Sequence, residues 1–286
     1  MKLLATDLDG TLLNSRHEIS AENIAALAYA RNRGAEIAVV TGRTYADASS
    51  VCAKAGLRAH IIANNGALVY GPGGNRLQAV TIAGHLLQPS LQWLHDNAYH
   101  YEASTATAVY VPAAVQDILE KDFTQARLVN PELQPDALDR MLSLIFSQQG
   151  VILVDSLEEI FADTAGYCNI LGLSFDREKL AKGKEYFGQQ AGLSLLSSNK
   201  YNFEVVNHTV SKGVALQYLI DYLGIGFSDV MAIGDNYNDL PMLRLAGVSV
   251  AMGNAEDPVK ECCRHVSLSN DEHGVAHIIE TLKDWF

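Results

Sequence analysis

The chain has 286 residues, of which 48% are apolar and 19% charged, which excludes a disordered or fibrous class and leaves room for one large domain or a domain carrying an insertion. With 33 acidic against 21 basic residues the formal net charge is −12, so nucleic acid and anionic membrane are excluded as main partners and any anionic ligand must be attracted locally. Cys52, Cys168, Cys262 and Cys263 lack CxxC spacing and read as buried thiols in a reducing compartment; with no export pattern after Met1 and no membrane-length apolar run, a cytoplasmic protein is expected.

The first apolar run, Lys2 to Thr6, reads as a buried strand and stops at Asp7-Leu8-Asp9-Gly10-Thr11. Two carboxylates at a strand end suit chemistry in an open parallel sheet, where ligands bind beyond the carboxyl ends of strands; a solvated Asp-Gly turn is the plain alternative. Ser20 is placed to cap a helix through Leu27 and Arg31 that stops at Gly34. Ile37 to Val40 is a second run, ending at Thr41-Gly42-Arg43. A helix over Tyr45 to Ala55 leads to a third, Ile61 to Ala63, ending at Asn64-Asn65-Gly66-Ala67. Alternating helix and strand predicts a parallel sheet. Leu68 to Tyr70 and Leu77 to Val80 flank Gly71-Pro72-Gly73-Gly74-Asn75, the signal of a hairpin. No helix start or Lys-Ser/Thr pair follows these glycines, so they are not a phosphate loop.

The middle of the chain changes character. Strand pairs are expected at Tyr99 to Ala103 with Ala108 to Val111, and at Leu193 to Leu196 with Phe203 to Val206 around a turn at Ser198 to Asn202. A further strand is expected at Tyr167 to Leu171, and helices at Ala114 to Ala126, Asp136 to Ser147 and Asp176 to Gln190. Such a mixture predicts an α+β module over residues 83–206, inserted into an α/β core formed by residues 1–82 and 207–286. Its tyrosines read as core positions of half-buried strands in preference to pocket residues.

After Asn207 the α/β rhythm returns. Lys212 begins an amphipathic helix that runs to Gly224, where the helix dipole disfavours a cation unless an anion waits nearby. Val230 to Ile233 is a fourth run, ending at Gly234-Asp235-Asn236-Tyr237-Asn238-Asp239; Val248 to Ala251 is a fifth, ending at Met252-Gly253-Asn254, and a helix from Gly274 closes the chain. If the first, second and fourth runs lie side by side, Asp7, Asp9, Thr41, Asp235 and Asp239 converge on one crevice with Lys212 between them. So many carboxylates repel one another unless a cation neutralises them, and hard oxygen ligands without histidine or thiolate point to Mg²⁺. A cation, a lysine and a hydroxyl with backbone N–H groups suit a phosphoryl group.

In these motifs the sequence resembles the haloacid dehalogenase superfamily, specifically the Cof-type phosphatases with a large α/β cap inserted in a Rossmann-like, doubly wound core. Asp7 to Leu13 matches the first motif, Thr41-Gly42-Arg43 the second, Lys212-Gly213 the third and Gly234 to Leu243 the fourth. Ala251 to Ala255 and Asn270 to Ala276 are similar to the C-terminal segment of that branch, with Cys262 and Cys263 where small residues are usual. The resemblance implies that Asp7 is the nucleophile and forms an aspartyl-phosphate, while Asp9 serves as acid and then base. It implies that Thr41, Gly42, Lys212 and Asn238 hold phosphate oxygens. Arg43 either joins them or is a structural ion-pair partner. Asp7, the Asp9 carbonyl and Asp235 would ligate Mg²⁺, with Asp239 reaching it through water or orienting Lys212.

The implied activity is hydrolysis of small phosphate esters, sugar phosphates among them and with broad specificity, by a monomer or homodimer. A carboxylate at Asp9 sets the chain apart from the dehalogenases, which lack one there, and from ion-pump ATPases, which carry threonine. A phosphomutase shares the phospho-aspartate step and stays an alternative, as does a ligand-sensing protein on a retained fold.

Overall fold

The computed structural model describes residues 1–197 and 200–285. Ser198 and Asn199, part of the turn expected from the sequence, lie outside the described residues. The chain forms two compact units, one of Met1–Ala79 with Val210–Phe286 and one of Val80–Thr209. The cuts fall three residues before and three residues after those read from the sequence.

In chain order the first unit opens with β1 (Leu3–Thr6), α1 (Ala21–Asn32), β2 (Glu36–Val40), α2 (Tyr45–Lys54), β3 (His60–Ala63), β4 (Leu68–Tyr70) and β5 (Arg76–Ala79). The second unit holds α3 (Gly84–Asp96), β6 (His100–Ser104), β7 (Val109–Pro112), α4 (Val115–Val129), α5 (Ala137–Ser147), β8 (Val151–Val154), α6 (Leu157–Ala162), β9 (Asn169–Leu173), α7 (Arg177–Gly188), β10 (Leu193–Leu196) and β11 (Asn202–Asn207). The first unit resumes with α8 (Lys212–Leu223), β12 (Val230–Gly234), α9 (Leu240–Leu245), β13 (Val248–Ala251), α10 (Asp257–Cys262), β14 (His265–Val266) and α11 (Gly274–Thr281). Among the described residues no helix is long and apolar enough to cross a membrane.

The sheet of the first unit has the order β14-β13-β12-β1-β2-β3-β4-β5, parallel from β14 to β3 and antiparallel at β4 and β5. Strands β1, β12 and β13 are wholly buried, which is why they read as continuous apolar runs without alternation. From β1 the chain moves to β2 on one side, and from β12 to β13 on the other. Right-handed crossovers therefore carry α1 and α9 to opposite faces. Helix α1 packs on α11, and α8 on α9. The loops after β1 and β12 diverge at this reversal of strand order, and the crevice they leave lies at the carboxyl end of β1, where Asp7 begins.

Local signals agree with the helix starts. Ser20 accepts from Asn23 N at 3.2 Å, Thr44 from Asp47 N at 3.3 Å and Ser211 from Val214 N at 3.1 Å, so α1, α2 and α8 each begin at a side-chain cap.

The second unit is a six-stranded sheet, β10-β11-β9-β6-β7-β8, antiparallel except between β7 and β8. One apolar cluster includes Leu91, Tyr101, Ile170, Phe187 and Phe203; a second includes Val111, Leu119, Phe123, Ile145 and Phe175. Tyr99, Tyr101 and Tyr167 are buried in the first cluster as core residues, Tyr101 on β6 and the other two just before β6 and β9. Three elements of this unit escape a sequence reading. Pro89 inside α3 masks a helix that starts without a capping side chain, β8 is a short edge strand, and α6 is six residues long. Among the described residues no disulfide links the cysteines; Cys52 and Cys168 are buried as expected, whereas Cys262 and Cys263 are half-buried, because α10 ends at the first of them and leaves both near the surface.

Candidate active site

The segment after β1 keeps its place beside β12 through Asp7 N, which donates to Ile233 O at 3.0 Å. Leu12 N and Leu13 N then fold back onto Asp7 O and Leu8 O. Gly10 sits at φ +76°, and a Cβ there would lie 2.5 Å from Asp235 Oδ2. Only glycine meets both demands, the backbone conformation and the closeness of the second loop. Thr11 Oγ1 donates to Asp235 Oδ1 at 2.8 Å, and Asn254 Nδ2 to Gly10 O at 2.8 Å, so the loops after β1, β12 and β13 are tied together.

Within this frame Asp7, Asp235 and Asp239 each offer a carboxylate oxygen, and the three atoms lie within 4.8 Å of one another. Lys212 Nζ donates to Asp7 Oδ1 at 2.7 Å and to Asp239 Oδ1 at 2.6 Å. The other oxygen of Asp239 accepts from Asp235 N and Asn236 N, both at 3.0 Å. Both oxygens of Asp239 are thus engaged by protein donors.

The electrostatics follow from burial. Burial pushes Asp7 well above the usual carboxylate range, against the pull of Lys212, with Asp239 and Asp235 adding to the rise. Burial likewise raises Asp235 to about 6, against the hydrogen bond from Thr11. For Lys212, burial acts to release the proton, but Asp239 and Asp7 outweigh it and hold the ammonium above its ordinary value. With all three carboxylates ionised, one ammonium would leave two negative charges uncompensated, which is why the acids are driven toward protonation in the absence of a cation. That deficit, presented by oxygen donors alone and without histidine or thiolate, fits one hard divalent cation. Asp7 and Asp235 are the carboxylates that could hold it.

The remaining residues singled out from sequence form two further groups. Arg43 grips Asp9 with both arms of its guanidinium, Nε to Oδ2 at 2.8 Å and Nη2 to Oδ1 at 2.6 Å. The Asp9 carboxylate is therefore turned to Arg43 and is not one of the three clustered acids. The Asp9 side chain is 48% exposed, so its pair with Arg43 faces water. Thr41 is buried at the end of β2, where its Oγ1 accepts from Arg43 N at 3.1 Å. Gly42 follows, its Cα beside the Asn65 amide. Asn238 Nδ2 donates to Asn65 Oδ1 at 3.1 Å. Asp7, Asp235, Asp239 and Lys212 are thus brought together, while Asp9 with Arg43 and Asn238 with Asn65 make separate pairs. Thr11, Asn65 and Asn254 also take part in this framework, and their signal in the sequence is that each stands where an apolar run ends.

Three comparisons bear on this geometry. Residues 4–279 match the family model described as haloacid dehalogenase-like hydrolase. The chain is 39% identical over 284 residues to Phosphatase YwpJ of Bacillus subtilis (strain 168), covering 99% of this chain and 100% of that one. It is 33% identical over 282 residues to the 5-amino-6-(5-phospho-D-ribitylamino)uracil phosphatase YwtE of the same organism, covering 99% and 98%. A solved haloacid dehalogenase-like hydrolase from B. subtilis superposes with a TM-score of 0.85 at 39% identity, covering 99% of this chain and 100% of that one.

Proposed function

The chain belongs to the haloacid dehalogenase-like hydrolase family, and from that premise we propose that this phosphatase is a Mg²⁺-dependent phosphomonoesterase that passes the phosphoryl group of small metabolites through Asp7 to water. The observation that carries this reading is the buried meeting of Lys212 with Asp7 and Asp239 beside Asp235. It supports reading Asp7 as the nucleophile beside a fixed ammonium, with one divalent cation balancing the charge.

In the first displacement a carboxylate oxygen of Asp7 forms a bond to phosphorus as the P–O bond of the ester breaks, and Asp9 donates its proton to the departing alkoxide. In the second, Asp9 takes a proton from water, the water oxygen attacks phosphorus, and the bond to Asp7 breaks to release inorganic phosphate. Asp9 has to leave the grip of Arg43 to serve in either step, so Arg43 acts as its resting partner. Lys212, Thr41, the backbone at Gly42 and Asn238 hold phosphoryl oxygens and stabilise the charge that shifts onto them. Asp239 anchors Lys212 and the loop after β12. A Mg²⁺ held by Asp7, Asp235 and the Asp9 carbonyl would offset carboxylate charge and polarise the phosphoryl group.

Sugar phosphates and related polyol phosphates are the proposed substrates; the name of the 33% identical relative gives it a phosphorylated ribityl chain. Selection among them is assigned to the inserted unit. The test is hydrolysis of p-nitrophenyl phosphate with Mg²⁺. Turnover should vanish in Asp7→Asn and on adding EDTA. Near-normal turnover by pure Asp7→Asn protein rejects the nucleophile, and a rate indifferent to EDTA rejects the metal.

A further inference from the structure

Strand β3 ends in an unusual turn. Asn64, Asn65 and Gly66 have φ of 48°, 54° and 105° in succession, and both asparagines are 1% exposed. Asparagine is among the few non-glycine residues that tolerate this region, and a buried pair of them persists only where the surroundings enforce it. Those surroundings belong to three loops. Asn64 N donates to Arg43 O at 2.8 Å and Asn65 N to Thr41 O at 3.0 Å, which bind the turn to the loop after β2. At Gly66 a Cβ would lie 2.3 Å from Ser211 O, the residue before Lys212. The Asn65 amide lies against Gly42, where a Cβ would stand 3.2 Å from its Nδ2 and 3.3 Å from its Oδ1.

The same amide meets Asn238. The bond from Asn238 Nδ2 to Asn65 Oδ1 is the one side-chain hydrogen bond Asn238 makes among the described residues, and its own buried Oδ1 has no partner. Among the described residues no other hydrogen bond fixes the rotation of the Asn238 amide. Its Nδ2 carries two hydrogens, and Asn65 takes one. We infer that Asn65 is a positioning residue for phosphoryl binding: held in its left-handed turn against Gly42, it fixes the Asn238 amide so that the second Nδ2 hydrogen is available to a phosphoryl oxygen. This rests on the phosphoryl-binding role proposed above for Asn238.

The test is a double-mutant cycle of Asn65→Gly and Asn238→Ala. Glycine keeps the positive φ without penalty and deletes only the amide, so the turn is retained. KM and kcat for p-nitrophenyl phosphate, the Ki of inorganic phosphate and Tm are measured for all four proteins. Asn65→Gly should raise KM and the phosphate Ki together by about tenfold, the worth of one hydrogen bond, with Tm little changed. In the Asn238→Ala background the same substitution should alter both constants by less than about twofold. Effects that multiply across the cycle overturn the inference, as does an unchanged Ki. A fall in Tm without a change in Ki assigns the turn a purely structural role and overturns it too. Failure of the phosphatase reading itself appears separately, as absent wild-type turnover or an active Asp7→Asn protein.

Discussion

Lys212 Nζ lies 2.6 Å from Asp239 Oδ1, with the two side chains 1% and 0% exposed. A pair this deep gains from Coulomb attraction only what it recovers of a heavy desolvation cost, so its main use is to fix where the ammonium points. Asp239 accepts two backbone N–H groups on its other oxygen and cannot swing away. The ammonium is thereby aimed at Asp7.

Removing that ammonium should hurt both fold and rate. Lys212→Met leaves the carboxylates of Asp7 and Asp239 buried without their cation, which should cost about 3–5 kcal/mol of stability. Excess Mg²⁺ should restore part of the lost Tm, since a cation in the cluster offsets the same charge. Thermal unfolding with and without Mg²⁺ checks this, and a variant with wild-type Tm contradicts it.

Arg43 and Asp9 should behave differently, because their pair is half in water. Arg43→Lys replaces a two-armed fork with a point charge. Stability should change by less than about 1 kcal/mol, as for exposed ion pairs. kcat/KM should rise by about threefold, because Asp9 leaves a weaker resting partner more readily and its working position is more populated. Urea unfolding and steady-state kinetics on one preparation separate the two effects; a large loss of stability with intact kinetics would make Arg43 structural only.

At Gly10 the loop after β1 lies close against Asp235 of the loop after β12. Gly10→Ala puts a methyl 2.5 Å from Asp235 Oδ2 at a φ of +76°. Strained backbone of this kind costs about 1–3 kcal/mol, and here Asp235 must also move. Half-saturating Mg²⁺ for turnover should therefore rise along with the drop in Tm. An unchanged Mg²⁺ requirement would remove Asp235 from the proposed ligand set.

His60 provides a pH-dependent contribution outside the site. It is buried in β3, its Nδ1 lacks a partner among the described residues, and its Nε2 is 3.4 Å from Glu36 Oε2. Burial lowers its pKa, only partly offset by Glu36. The folded state then binds fewer protons here than the unfolded chain, so stability is fully present above the unfolded value of about 6.5 and is lost as pH falls through the folded one. His60→Gln should flatten that acid-side loss. Urea midpoints for the two proteins between about pH 7.5 and pH 5 should diverge, and parallel curves would contradict the assignment.

Much of the core was legible because buried parallel strands announce themselves as apolar runs and end at residues that cannot be packing choices. Asp7, Thr41 and Asp235 all fall at such ends, and β12, β1 and β2 are neighbours in the sheet. Pair geometry was not legible. Nothing in the spacing of Asp9 and Arg43 says that one grips the other, and Asn65 joins Asn238 across 173 residues of chain. The inserted unit was read in outline only, since α3 carries an internal proline and β8 is a four-residue strand at a sheet edge. In such elements tertiary packing outweighs local propensity.

During turnover a phosphoryl group should rest covalently on Asp7. Acid quenching during hydrolysis, followed by borohydride reduction of acyl phosphates and peptide mapping, tests it most directly. Homoserine in place of aspartate at position 7 is the predicted result. Rapid hydrolysis with position 7 unmodified in every quenched sample, and reduction at another carboxylate or at none, would contradict it.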